Sequence, residues 1–284
     1  MKELTINWHI TEACNFKCGY CFAKWEKPCK KELLHCQDKV NLLLDEIMKL
    51  TSYFDQFTQI RLNLVGGETF LYKEQVFYIM EQAKLRQMRL SAITNGSQFD
   101  VEMNAIIANY LDSLGISMDS VNRITNLQIG RQMKNTAINS QLLIENIQMI
   151  KKLNPQINLK VNTVVNKFNH KEYLGDFIDQ VNPDKWKIFK VLPIMKESES
   201  FIINDEEFQG FIERHQAYQK IIFSENNDEM THSYLMIDPL GRFFQNQTEQ
   251  LGYQYSQPII ENGIESAISQ IQFDIIKFSS RYQQ

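Results

Sequence analysis

The chain has 284 residues, 43% of them hydrophobic and 23% charged, with a formal net charge of −4, which is enough apolar material for one large core or a core with an appendage. The acidic balance, with a pI near 5.8, excludes general nucleic-acid binding, because a long polyanion would be repelled unless basic residues were gathered on one face. The opening MKELTINWHI has neither the apolar core of a secretion signal nor an amphipathic helix, and no later apolar run reaches bilayer-spanning length, so a cytoplasmic chain without membrane contact is expected.

In chain order, apolar strand-like segments fall at 5–10, 59–65, 89–94, 113–118, 158–165 and 185–192. Most are separated by stretches of helical period. Val40, Leu43, Leu44, Ile47 and Met48 make one stripe, and Leu142, Leu143, Asn146, Ile147 and Ile150 another. A βα repeat of this kind builds a parallel sheet, open or closed, and six units fit a partial barrel. After Pro193 the character changes: Lys196–Ser200 is polar, Asp205–Lys220 is helical in pattern, and Ser233–Ile237 reads as one more strand. Two parts are expected, a barrel at 1–195 and a C-terminal extension at 196–284 that packs on it and helps to cover the substrate.

Alternation within the strands carries chemistry, because successive side chains point to opposite faces. One face collects Asn7 and His9, Arg61 and Asn63, Ser117, Lys160 and Asn162, and Lys185 and Lys187. The other is apolar and suits covering helices, which leaves the polar set inside. Unpaired cations there are costly unless an anionic, phosphate-rich ligand meets them. The other reading is that some of these are edge strands whose polar face meets water.

Five cysteines, three of them within the eight residues Cys14-Asn-Phe-Lys-Cys18-Gly-Tyr-Cys21, suit a metal site in a reducing compartment better than a disulfide framework. The motif follows the first strand, at the end where barrel active sites lie. Three thiolates hold three irons of a four-iron cluster and leave the fourth iron for another ligand. A zinc site is the alternative, and it would have to recruit Cys29, His35 or Cys36 as a fourth ligand. Gly66-Gly67-Glu68-Thr69 follows the second strand, where glycines allow close backbone approach and a carboxylate can accept hydrogen bonds from an ammonium group. Thr94-Asn95-Gly96-Ser97 and Ser117 end the third and fourth strands and place further polar groups at the same level.

The cysteine spacing, with aromatic Tyr20 before the last cysteine, resembles the signature of the radical S-adenosylmethionine (SAM) superfamily, and Gly66–Thr69 resembles its GGEP motif, with threonine in place of proline. The resemblance extends over nearly the whole chain to the viperin-like nucleotide-modifying enzymes. It is carried by Asn7-Trp-His-Ile-Thr, Ile129-Gly130-Arg131, Lys160-Val-Asn162, Val165-Asn-Lys-Phe-Asn169, Asn182-Pro-Asp-Lys-Trp186-Lys187, Asp205-Glu-Glu-Phe208, Glu213-Arg-His215 and Ser233-Tyr234-Leu235.

This resemblance implies an α/β fold, a partial (β/α)6 TIM-like radical SAM barrel with a C-terminal extension. It implies a [4Fe-4S] cluster on Cys14, Cys18 and Cys21, and SAM held by Phe22, Gly66, Gly67, Glu68, Asn95, Ser117 and Arg131. The implied substrate is CTP, UTP or GTP, held mainly by its triphosphate on Asn7, Arg61, Lys160, Asn162, Lys185 and Lys187. The implied reaction is abstraction of the ribose C4′ hydrogen by a 5′-deoxyadenosyl radical, followed by loss of the 3′-hydroxyl as water. Tyr234 is the candidate proton or hydrogen donor, and packing in the extension is its alternative role. A flavodoxin or ferredoxin as electron donor, a monomer, and an anti-phage role through a chain-terminating product complete the expectation. Three departures stand out. Phe243–Glu261 lacks the basic residues the family carries after Arg242, lysine replaces the family's arginine at position 185, and the membrane helix and terminal tryptophan of the animal enzymes are missing, as in a free-living microbial version.

Overall fold

The structure, a computed structural model, describes residues 2–23, 32–192, 196–225, 232–246 and 253–282. The strands are β1 (Glu3–His9), β2 (Gln59–Val65), β3 (Arg89–Thr94), β4 (Ser113–Ser117), β5 (Gln132–Met133), β6 (Thr136–Ala137), β7 (Asn158–Val165), β8 (Lys185–Lys190), β9 (Ile222–Glu225), β10 (Leu235–Ile237), β11 (Arg242–Asn246) and β12 (Tyr253–Pro258). Helices α1 (Gln37–Met48), α2 (Leu50–Tyr53), α3 (Lys73–Leu85), α4 (Val101–Tyr110), α5 (Arg123–Ile129), α6 (Ser140–Leu153), α7 (Gly175–Val181) and α8 (Asp205–Arg214) lie between them. All six expected strands are present, with ends displaced by no more than two residues.

The chain divides into two compact units. The first comprises Met1–Ala13, Ala23–Ala92 and Asp228–Gln284, with strand order β12-β11-β10-β1-β2-β3. Strand β1 runs parallel to both β2 and β10, whereas β11 and β12 turn back antiparallel. The alternation is visible as burial: Ile6, Trp8, Leu62 and Leu64 are fully enclosed, each contributing roughly 1.5–3 kcal/mol relative to exposure. Helix α1 buries Val40, Leu43, Leu44 and Ile47, as its stripe predicts.

The second unit comprises Cys14–Phe22 and Ile93–Asn227, with parallel order β4-β7-β8-β9. Strand β7 alternates without a break, its Leu159, Val161, Thr163 and Val165 buried and Lys160 and Asn162 half-buried. Helix α6 corrects the expected stripe by one position. It buries Leu143, Ile144, Ile147 and Ile150, while Leu142 is 53% exposed and Asn146 turns back to the Leu142 carbonyl at 2.8 Å. Asn139 caps this helix through the N–H groups of Gln141 and Leu142, which fixes its phase.

Sequence beyond residue 195 enters both units, 196–227 the second and 228–284 the first. The helical pattern over Asp205–Lys220 resolves into α8, opened by an Asn204–Glu207 capping box, and a short turn of helix at Gln216–Tyr218. The strand expected at Ser233–Ile237 is β10, shortened to Leu235–Ile237. Strands β9, β11 and β12 have no counterpart in the sequence expectation.

Candidate active site

The cysteine loop is stitched to the end of α5 by two backbone hydrogen bonds, Lys17 N–H to Gly130 O and Gly19 N–H to Ile129 O, each 3.0 Å. Gly130 is required twice over. Its φ of +91° lies in the left-handed region, and a Cβ there would stand 2.2 Å from Lys17 O. Within the loop the Cys14 sulfur accepts Phe16 N–H at 3.3 Å and lies 3.9 Å from Asn95 Nδ2. Asn95 also donates to Asn15 Oδ1, and Asn15 donates to Ser97 Oγ, so the turn after β3 holds the start of the motif. Burial pushes the Cys18 thiol up to about 12, with the Arg131 guanidinium opposing and the neighbouring Cys21, Asp119 and Cys14 adding to the rise. A thiolate is stable at that depth only against positive charge, which is what iron supplies.

Asp119, just past β4, is the residue that sequence reasoning missed. It is almost fully buried, and one carboxylate gathers three donors: Tyr20 Oη from inside the cysteine motif, Arg131 Nη1 at 3.1 Å, and Val164 N–H at 2.9 Å. Arg131 also donates through Nη2 to Ser117 O at 2.5 Å, and its Nε is buried without a partner. Burial first, and the Asp119 charge second, hold the Tyr20 phenol well above its usual range, so it stays a donor. Phe201 closes over the same loop, edge-on to Tyr20 at 5.8 Å. Asn169 fastens the Asp119 backbone through a 2.8 Å bond from Nδ2 to Asp119 O.

In the first unit, Gly66 and Gly67 permit the approach their sequence suggested. A Cβ at Gly67 would lie 2.2 Å from Ala13 O, and one at Gly66 would lie 2.8 Å from Thr11 O. Gly67 and Glu68 donate their N–H groups to Thr11 O and Ala13 O at 2.7 and 2.9 Å. The Glu68 side chain is fully buried and accepts Phe70 N–H at 3.1 Å. Thr69 begins a 3-10 helix over Thr69–Leu71, a first-turn position at which proline is also accommodated. Glu32, also unforeseen, clamps the chain before the cysteines, accepting from Thr11 Oγ1 and Glu12 N–H at 2.7 Å each.

The polar faces are built differently in the two units. In the first, Asn7 donates to Leu235 O at 3.3 Å and accepts from Asn63, which accepts from Ser91, a ladder of side chains across β1, β2 and β3. Arg61 pairs with Glu3 at 2.7 Å and keeps a buried Nη1 without a partner. His9 is buried edge-on to Phe244, and burial lowers it to about 3. Tyr234 is half-buried and lends its backbone carbonyl to Gln245 Nε2 at 3.5 Å.

In the second unit the strand register sets Lys160 beside Lys185, and Asn162 beside both Ser117 and Lys187. Lys185 Nζ sits 3.4 Å from the Phe223 ring centroid, and Lys187 pairs with Glu225 at 2.6 Å. Asn162 Oδ1 is buried with no partner. Arg61 and Lys187 thus have carboxylate neighbours that the strand pattern did not anticipate, because Glu3 precedes the expected first strand and β9 was not foreseen.

Phe22 is 40% exposed at the end of the motif. Cys29 lies outside the described residues. Cys36 precedes α1, and His35 packs edge-on to Tyr72 at 5.0 Å. Among the described residues no three His, Cys, Asp or Glu side chains converge on one ion. A four-iron cluster does not ask for that, since each thiolate binds its own iron.

A model of the radical SAM superfamily matches residues 8–181. The chain is 50% identical over 287 residues, 99% of its own length and 95% of the relative's, to the S-adenosylmethionine-dependent nucleotide dehydratase of Psychrobacter lutiphocae. It is 30% identical, over 99% of its length and 78% of the relative's, to the S-adenosylmethionine-dependent nucleotide dehydratase RSAD2 of Siniperca chuatsi. Among solved structures, anSMEcpe with bound AdoMet superposes with a TM-score of 0.69 at 12% identity, covering 98% of this chain and 81% of that one. That last likeness speaks for the fold alone, a mixed α/β chain with a parallel sheet, consistent with the expected partial (β/α)6 barrel.

Proposed function

The chain belongs to the radical SAM superfamily and, within it, to the viperin-like S-adenosylmethionine-dependent nucleotide dehydratases, and from that membership we propose that it converts CTP, UTP or GTP to the 3′-deoxy-3′,4′-didehydro analogue. Its cofactors are a [4Fe-4S] cluster and SAM. When bound, these supply a 5′-deoxyadenosyl radical that can take the ribose C4′ hydrogen.

Cys14, Cys18 and Cys21 would each ligate one iron, and the orphaned Nε of buried Arg131 suits a carboxylate acceptor such as that of SAM. Gly66, Gly67, Glu68, Asn95, Ser117 and Phe22 complete the SAM contacts in this reading. Arg61, Lys160, Lys185 and Lys187 hold the phosphates, with Asn7 and Asn162, and so fix where the ribose lies. Tyr234 supplies the proton that lets the 3′-hydroxyl leave as water, and one further electron completes the product. The part of the chain after residue 195 helps to cover the substrate.

The single observation that carries the nucleotide reading is the paired row Lys160–Lys185 and Asn162–Lys187 on adjacent parallel strands, with the buried Asn162 amide oxygen able to accept from a hydroxyl. A row of this kind offers a polyanion several cations at once. The proposed electron donor is a flavodoxin or ferredoxin, and the proposed form is a cytoplasmic monomer. Among the described residues no helix is long and apolar enough to cross a membrane. A product without a 3′-hydroxyl would terminate RNA chains, which suits defence against phage.

The test is anaerobic incubation of reconstituted protein with SAM, dithionite and each of CTP, UTP and GTP, followed by mass spectrometry. One nucleotide should stimulate 5′-deoxyadenosine formation and lose one water. SAM cleavage without any altered nucleotide would overturn the substrate assignment and leave the cluster assignment standing.

A further inference from the structure

Strand β9 was not foreseen, yet it supplies an aromatic and a carboxylate neighbour to two lysines on the polar face. It pairs in parallel with β8, setting Phe223 across from Lys187 and Glu225 across from Phe189. Phe223 lies under the Lys185 ammonium at 3.4 Å. Glu225 Oε1 stands 2.6 Å from Lys187 Nζ, with the two side chains only 13% and 20% exposed. At that contact the carboxylate occupies a donor direction that a phosphate oxygen would use, and water screens the pair poorly. A phosphate arriving at Lys187 must either displace the carboxylate or lie beside it, two like charges sharing one cation.

We infer that Glu225 is a competing counter-ion for Lys187, a specificity-setting residue that holds the lysine in place when no substrate is bound and weakens the hold of the site on phosphate groups. The inference rests on the reading of Lys187 as a phosphate-binding residue. Its logic is one of threshold. A ligand that reaches Lys187 alone trades one anion for another and gains little. A triphosphate that engages Lys160 and Lys185 at the same time offsets the loss with further ion contacts. Glu225 therefore acts through Lys187 as a positioning residue. Its neutralisation should tighten binding, whereas loss of a purely structural brace would loosen it.

The experiment is anaerobic calorimetry of the reconstituted full chain with inorganic tripolyphosphate, a probe that does not depend on base preference, alongside the steady-state KM for whichever nucleotide is turned over. Glu225→Gln should bind tripolyphosphate about tenfold more tightly and lower KM with kcat changed by less than about twofold. Glu225→Asp, which keeps the charge, should stay near the unsubstituted protein. Lys187→Gln should bind more weakly, and adding Glu225→Gln to it should restore nothing. Should Glu225→Gln leave binding unchanged or weaken it while Lys187→Gln still shows its loss, the counter-ion role is wrong and the phosphate reading stands. Should the unsubstituted chain bind no tripolyphosphate, or Lys187→Gln have no effect, the phosphate reading fails and takes this inference with it.

Discussion

Two regions of the second unit handle buried charge in opposite ways. Around the cysteine loop, Asp119 and Arg131 are 1% and 4% exposed in their side chains, and their hydrogen bonds run to Tyr20, Ser117 and Val164. On the lysine face, Lys160, Lys185 and Lys187 are half-buried; the Lys185 ammonium stands over the Phe223 ring, and Lys187 meets the Glu225 carboxylate and the Phe189 ring. The first arrangement is finished before any ligand arrives, apart from one guanidinium nitrogen. The second keeps its cations partly exposed, within reach of an incoming anion. Changes in the first region should therefore damage folding and cluster retention together, and changes in the second should damage binding while the fold survives.

Asp119→Asn should have the largest effect. It leaves the Arg131 charge buried without its counter-ion, at a cost of about 3–5 kcal/mol, and it frees Tyr20 from the carboxylate. Urea unfolding and iron content should both fall. A variant with full stability and full iron would erase the contrast. Gly130→Ala comes next. The left-handed φ and the 2.2 Å approach to Lys17 O should cost more than about 1 kcal/mol and lower iron retention, read as absorbance of the reconstituted chain. Lys185→Gln should raise KM for the nucleotide about tenfold and move Tm by less than about 2 °C. A collapse in Tm would show that the lysine face is architectural as well.

The smallest effect is one of pH, and it lies outside both regions. His215 is fully buried; its Nδ1–H donates to Phe211 O at 2.8 Å and its Nε2 accepts Leu174 N–H at 2.9 Å, so the ring is neutral. Burial lowers His215 below 6.5, and it lowers His9 to about 3. Below 6.5 the unfolded chain then binds more protons than the folded one. Stability is complete above that value and declines as pH falls from it toward about 3. The urea midpoint of the apoprotein should drop between about pH 7 and about pH 5, and His215→Asn should flatten the decline.

Much of this was legible in the sequence, and the reasons differ by feature. Strand positions were readable because β-alternation is local, and β7 keeps it through every residue. The cysteine motif and the Gly-Gly-Glu turn were readable because chemistry fixes their spacing and close backbone contact fixes their glycines. Several stretches that carry the family resemblance have structural roles: Gly130 fastens the cysteine loop, Asn169 holds the Asp119 backbone, and His215 bridges Phe211 and Leu174. Asp119 was not legible, since an aspartate after a strand looks like any turn residue, and its partners are 99 and 12 positions away. Glu225 was hidden for a related reason. The segment Ile222–Glu225 is only four residues long, too short to show a period. The stripe of α6 was misphased because a leucine at a helix start counts the same in a periodicity whether it faces the core or solvent.

In the proposed reaction the C4′ hydrogen of a nucleoside triphosphate passes to the radical carbon derived from SAM. The most direct measurement uses a nucleotide deuterated at C4′ and reads the mass of the 5′-deoxyadenosine released. The 5′-deoxyadenosine should be heavier by one deuterium, formed together with a dehydrated nucleotide and absent in Cys18→Ala. Unlabelled 5′-deoxyadenosine, with deuterium still on the recovered nucleotide, would contradict it.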